Sequence, residues 1–441
     1  MTMEVSMRPF RNLLALVALM ALIAAPASAD DRDLPEYRSS SNLQLVAHLP
    51  GAGGTDLEFF SRDLTVWRDA SGTVHTVPDG SPPVRRHFAF VGNRVQGPSI
   101  VDITTPETPF VVASFPSCKA DQGDIQVASN GKVASIAMQG GSCPMSTGVG
   151  ATKGAILVDM TDVYAPKIVG NAKESIGAHN TTIHPSGNYV YISTSGDIPN
   201  RIAIFDIRNP AAPIKVRDFS PPSGDSPHDI RFSEDGTRAY MAGIDQYRIV
   251  DTSDPENPKM ISTFIPPGTT IGHDALVTPD KAFLFVGEET NGGGTAPCPG
   301  GPIYIYDIRG ANEQNPVLLG IAEAGSGPVT GRTNDEAFAG SVGGCTSHVM
   351  DLAPNKKSLT AGWYVSGSRV FDFSGLYNAD GTPKPTPSLS WGGYGTGAMK
   401  EVGWIVPQGA NTWSAKQYAE VPGYIFSDDL VLGFYVTKIK A

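Results

Sequence analysis

Five segments of the chain end alike: IVDITTPETP at Pro109, LVDMTDVYAP at Pro166, IFDIRNPAAP at Pro213, IVDTSDPENP at Pro258 and IYDIRGANEQNP at Pro316. In the first four an aspartate (Asp102, Asp159, Asp206 or Asp251) stands seven residues before the closing proline. Asp307 follows with two extra residues, and Asp372, in RVFDFS, with a longer insertion. Each block reads as a β-branched strand running into a turn, where the carboxylate takes nearby backbone N–H groups and proline fixes φ and stops the strand. The copy from Pro227 to Pro258 shows the full unit. It has strands at His228–Ser233, Arg238–Ala242 and Tyr247–Asp251, a tight turn at Glu234–Thr237, and a fourth strand after the prolines at Lys259–Phe264. Four-stranded units repeating every ~40 to 50 residues predict a β-propeller. The expected fold is therefore all-β and seven-bladed, with six or eight blades also compatible.

The IVDI, LVDM, IFDI, IVDT and IYDI blocks resemble LVIVD repeats, found in exported β-propeller proteins of mostly unassigned function. The resemblance extends over most of the chain after residue 29. It implies the fold and names no activity. On this reading the inner strands of blades one to seven begin near Thr55, Asp124, His179, His228, His273, His348 and Thr412. Ser61–Arg86 is an inserted hairpin in blade one. The last repeat, Gly423–Ile439, lacks a fourth strand, and the alternating segment Ser41–Leu49 is placed to supply it and close the ring.

Arg8 and Arg11, the apolar run Leu13–Ala25 and the small-residue triplet Ala27-Ser28-Ala29 have the form of a secretory signal peptide cleaved after Ala29. Residues 30–441 then form a single propeller domain, secreted or periplasmic and monomeric. Losing Glu4, Arg8 and Arg11 takes the net charge from −11 to −12. No basic run and no second spanning segment occur, which argues against nucleic acid and membrane as partners and leaves a small molecule or an extracellular protein. An oxidising compartment favours disulfides among Cys118, Cys143, Cys298 and Cys345. Cys118 and Cys143 bracket the first two strands of blade two. Cys298 follows the second strand of blade five and Cys345 precedes the first of blade six. Short bridges therefore pair Cys118 with Cys143 and Cys298 with Cys345.

Four of the eight histidines share one phase. His179, His228, His273 and His348 each stand eight residues before a turn position, held by Gly187, Gly236, Lys281 and Lys356. The equivalent residue in blade two is Gly123. Inner strands line the central channel, so consecutive blades aim these imidazoles at one mouth. The second strands return to the same face with Gln139, Glu288, Glu289, Tyr364 and Asp428. Histidine and carboxylate converging from rigid strands suit one Fe, Cu or Zn ion. Glu288, Glu289, Asp124, Asp229 and Asp274 are the candidate orienting groups around it. Two alternatives stand beside this: each histidine bonds within its own blade, or the ring forms a polar rim for an organic ligand. His184 reads as a packed or turn residue, and His48, His75 and His87 as structural or exposed. Trp363, Trp391, Trp404 and Trp413 read as packing between blades. No G-x-S-x-G, HExxH, P-loop or EF-hand loop is present. Three functions remain: a ligand- or metal-binding or protein-interaction module, an Fe- or Cu-dependent oxidoreductase using the four histidines, and a metal-assisted hydrolase.

Overall fold

A computed structural model describes residues 34–145, 151–194, 201–220, 226–294, 296, 298, 300–324, 343–385 and 399–440. The signal-peptide segment and Trp391 lie outside them.

Seven antiparallel sheets make a seven-bladed propeller. The strand-ending aspartates act as read: Asp102, Asp159, Asp206, Asp251, Asp307 and Asp372 each accept the backbone N–H two residues on, at 2.7–2.9 Å. A β-bulge in the fourth strand recurs in blades one to six, for example at Ile261, opposite the step from Ile249 to Val250. The turns after the inner strands need a left-handed residue. Glycine meets that need at Gly187 and Gly236, with φ of 73° and 69°. Lys281 and Lys356 adopt φ of 54° and 55° at the same positions. Their ammonium groups reach Asp235 and Glu234, at 2.5 and 3.0 Å, in return.

Alternate residues of each sheet face its two neighbours, and seven apolar clusters fill the seven gaps between blades. Phe60, Phe88 and Ile136 pack between blades one and two, and Phe283, Met350 and Trp363 between blades five and six. Ala47, Leu57 and Phe426 join blade seven to blade one. No gap is left unfilled, so the ring is continuous.

Leu43–Pro50 pairs with Gly433–Ile439 as the outer strand of blade seven, closing the ring as expected. A second N-terminal strand, Tyr37–Ser39, was not foreseen. It adds to the outer edge of blade six by pairing with Ile405–Pro407. Three residues carry too little alternation to read as a strand. The blade-one insertion lengthens that blade's first two strands to Gly54–Leu64 and Val84–Asn93 and ends in a ribbon of Val66–Arg68 with Val74–Thr76. Among the described residues no helix is long and apolar enough to cross a membrane. Disulfides join Cys118 to Cys143 and Cys298 to Cys345.

Candidate metal centre at the channel mouth

The inner strands of blades four, five and seven begin with a bulge. Pairing skips a residue between Pro227 and Asp229, between Gly272 and Asp274, and between Thr412 and Ser414. The skipped residues are His228, His273 and Trp413. A bulge re-aims its side chain and frees a ladder amide. The next carboxylate takes such an amide: Asp229 accepts Ile230 N–H at 2.6 Å and Asp274 accepts Ala275 N–H at 2.7 Å. Asp274 also accepts Met350 N–H of blade six at 2.8 Å, and Asp124 accepts Thr181 N–H of blade three at 2.8 Å. These three aspartates, expected to orient the imidazoles, therefore act on the backbone instead, fixing the bulges and joining blades.

The imidazoles meet one another across blades. Ring centroids are 4.2 Å apart for His179 and His228, 4.7 Å for His228 and His273, and 3.7 Å for His273 and His348. His179 Nε2 lies 3.2 Å from His228 Nε2. Two nitrogens bound at about 2.0–2.1 Å to one ion stand roughly 3–3.4 Å apart, so this spacing is already that of a ligand pair. His228, His273 and Glu289 each offer a donor atom within 4.8 Å of the other two. That separation is wider, so a bound ion would draw these side chains inward.

Hydrogen bonds decide which nitrogen is available. His348 Nδ1 stands 3.1 Å from Trp413 O, which can only accept, so the proton is on Nδ1 and the lone pair on Nε2. His179 Nδ1 donates to Gln139 Oε1 at 3.0 Å with the same result. Metal-binding histidines usually carry such a bond on the far nitrogen. His273 Nδ1 is buried with no hydrogen-bond partner among the described residues, which is costly unless a ligand meets it. Burial holds all four imidazoles neutral: His179 falls to about 4, and the others fall well below the usual range, with neighbouring imidazoles adding to the effect.

Glu289 completes the group. Its Oε1 accepts the Tyr364 hydroxyl at 2.6 Å and lies 3.8 Å from His348 Nε2. Burial pushes its carboxyl up to about 7 despite the Tyr364 bond. Tyr364 holds φ at 36°, a strained value for a side-chain-bearing residue, to make that contact. Glu289 thus stands among the donor atoms rather than behind them. Glu288 turns away from the cavity, accepting Thr270 N–H and Ile271 N–H at 2.6 and 3.2 Å. Asp428 also points elsewhere, accepting Thr55 N–H at 2.7 Å between blades seven and one. Thr346, beside the Cys298–Cys345 bridge, accepts Thr290 N–H and donates to Glu288 O, pinning the loop over the mouth.

The donors face a cavity of about 460 Å³. Its other wall holds Arg94, Gln122, Asn411 and Trp413. Trp413 packs against His348 with centroids 4.0 Å apart and the rings tilted by 55°. It occupies the phase of the histidines in blade seven, a signal the sequence carried but that was read as packing between blades. Trp363 is fully buried packing, with Nε1 donating to Gly300 O at 3.1 Å. His184 bonds Gly236 O at 3.0 Å and His48 bonds Leu432 O at 2.9 Å, both structural as expected.

Below the imidazoles the channel carries a buried charge network. Lys416 Nζ of blade seven meets Asp56 and Glu58 of blade one at 2.9 and 2.8 Å. Arg231 of blade four meets Asp274 of blade five at 3.0 Å and Met350 O of blade six at 2.9 Å. Asp229, facing Asp274, Arg231, Asn180 and Asp124, is raised to about 7, mainly by burial and next by Asp274. The unfolded chain releases this proton near 3.8. The group's contribution to stability is thus present at acid pH and falls as pH rises from about 4 to 7. Asp229→Asn removes that loss, so the melting temperature of the variant minus that of wild type should increase between pH 5 and pH 8. A flat difference by calorimetry contradicts the assignment.

The LVIVD repeat family matches residues 180–219, the whole of blade three from its inner to its outer strand. The chain carries an LVIVD repeat. No curated protein matches it in sequence. Among solved structures, Kuenenia stuttgartiensis hydrazine synthase is similar with a TM-score of 0.57 at 14% identity, covering 80% of this chain and 92% of that one. The Cps50 (Swd1) β-propeller domain of Myceliophteria thermophila gives 0.54 at 11% identity, covering 90% and 100%. Likeness at these identities is one of fold. The LVIVD-repeat propeller shares its ring with them, and its site is argued from its own residues.

Proposed function

We propose that this LVIVD-repeat propeller is an exported metal-binding protein. It holds one transition-metal ion at the channel mouth through His228, His273 and Glu289, with His179 and His348 within reach. The observation that carries the reading is the convergence of those three donor side chains, together with a buried His273 Nδ1 that has no hydrogen-bond partner among the described residues. Four neutral imidazoles and a carboxylate with a raised pKa cost folding energy unless a cation uses their lone pairs. Nitrogen and carboxylate donors suit Fe(II), Cu or Zn.

The site also has the makings of an enzyme. Two histidines and a carboxylate would leave coordination positions open toward the cavity, the arrangement that non-haem iron oxygenases use. When bound, the metal would supply Lewis-acid or redox chemistry. The chain's own residues hold its donors in place and neutral: Gln139 and Trp413 O fix ring orientation, Tyr364 fixes Glu289, and the mouth loop limits water.

Elemental analysis of the purified mature protein, as isolated and after anaerobic reconstitution with Fe(II), Cu or Zn, tests the reading. About one equivalent per chain of one of these metals is expected. Less than about a tenth of an equivalent of all three overturns it.

A further inference from the structure

The histidines occupy blades three to six, and the opposite wall of the cavity is built differently. Blade two carries Gly123 where the others carry imidazole. A Cβ there would lie 3.4 Å from Arg94 Cγ and 3.2 Å from Thr55 Oγ1. Arg94, from the loop after the second strand of blade one, packs directly against Gly123 at the mouth. Its guanidinium stands 5.9 Å from the Trp413 ring centroid. Among the described residues lining the cavity, Arg94 is the one cation. It makes no ion pair or side-chain hydrogen bond with any described residue, and its guanidinium faces the Trp413 ring. Arg94 is exposed at the mouth, and a planar guanidinium fork beside an aromatic surface and a proposed metal ion matches a planar carboxylate.

We infer that the cavity takes a small organic carboxylate, its anionic end on Arg94 and its body against Trp413, facing the His228–His273–Glu289 group. This deepens the metal-site reading and relies on it for the second wall. Arg94 fixes the chemical class: apart from the imidazoles, the other ionisable side chains among the described lining residues are Asp124, Glu289 and Tyr364, and none of them is a cation.

Benzoate and its uncharged counterpart benzamide are suitable probes, titrated calorimetrically into the full chain in metal-free and Zn-loaded forms. Wild type should prefer benzoate in both forms. Arg94→Gln should weaken benzoate roughly tenfold or more and leave benzamide and metal content unchanged. Arg94→Lys, which keeps the charge and loses the fork, should fall between. The inference is overturned if wild type binds benzamide as well as benzoate, if neither binds at millimolar concentration, or if Arg94→Gln leaves benzoate affinity intact. In that last case, binding lost on removing zinc shows that the metal alone holds the anion, and the metal reading stands. Discrimination by Arg94 in a protein that takes up no metal supports the carboxylate site and removes the metal reading alone.

Discussion

Alanine at His228 or His273, or glutamine at Glu289, is expected to lower bound metal from about one equivalent per chain to under a tenth, measured by elemental analysis after reconstitution and desalting. The three residues act as a unit, so each loss should nearly empty the site. Each side chain faces the cavity, while the bulges that aim the histidines are held by Asp229 and Asp274 through backbone amides. Fold should therefore survive, with circular dichroism and both disulfides unchanged. Gln139→Ala acts one step further out. It removes the acceptor that holds His179 in its Nδ1–H form and should weaken metal affinity by about 10- to 100-fold without abolishing it. Full metal retention in the His273→Ala and Glu289→Gln proteins would show that the donors converge for packing alone.

Lys416→Met carries the largest expected cost in stability, about 3–5 kcal/mol by denaturant titration. The Lys416 side chain is 1% exposed and its partner Asp56 is 4% exposed. Removing the ammonium strands two carboxylates in a channel that already holds Asp124, Asp229, Asp274 and Asp351. The matched variant Lys416→Met with Asp56→Asn and Glu58→Gln should recover much of the loss, because no uncompensated charge then remains. A loss below about 1 kcal/mol in the single variant would mean that water reaches the pair and screens it.

The propeller was legible because its signals are local and repeated. An aspartate accepting an amide two residues on, a proline that stops a strand and a turn that needs positive φ each act within a few residues, and the repeated copies reinforce one another. The cysteine pairs and the four imidazoles followed from blade phase alone. What phase does not give is the outcome of a one-residue shift. Glu288 and Glu289 are neighbours, and only the geometry of the strand end decides which enters the cavity. Trp413 shares the histidine position through the same bulge, and no histidine marks it. Asp229 and Asp274 looked like partners for the rings, but the amide freed beside each is nearer. Arg94 comes from the loop between the second and third strands of blade one, where no repeated residue marks it, and it packs against Gly123.

The two short strands near the amino end have a kinetic meaning. Tyr37–Ser39 and Leu43–Pro50 complete sheets whose remaining strands lie near the carboxyl end, and Ser40 N–H bonds Trp404 O across a separation of 364 residues. Contacts of that span carry the steepest loop-closure cost in the chain, so they form only after the intervening blades have ordered. The toroid therefore fastens late, through a double clasp on two adjacent sectors. Opening under force or heat should begin at that clasp while the histidine-bearing arc, on blades three to six, is still intact.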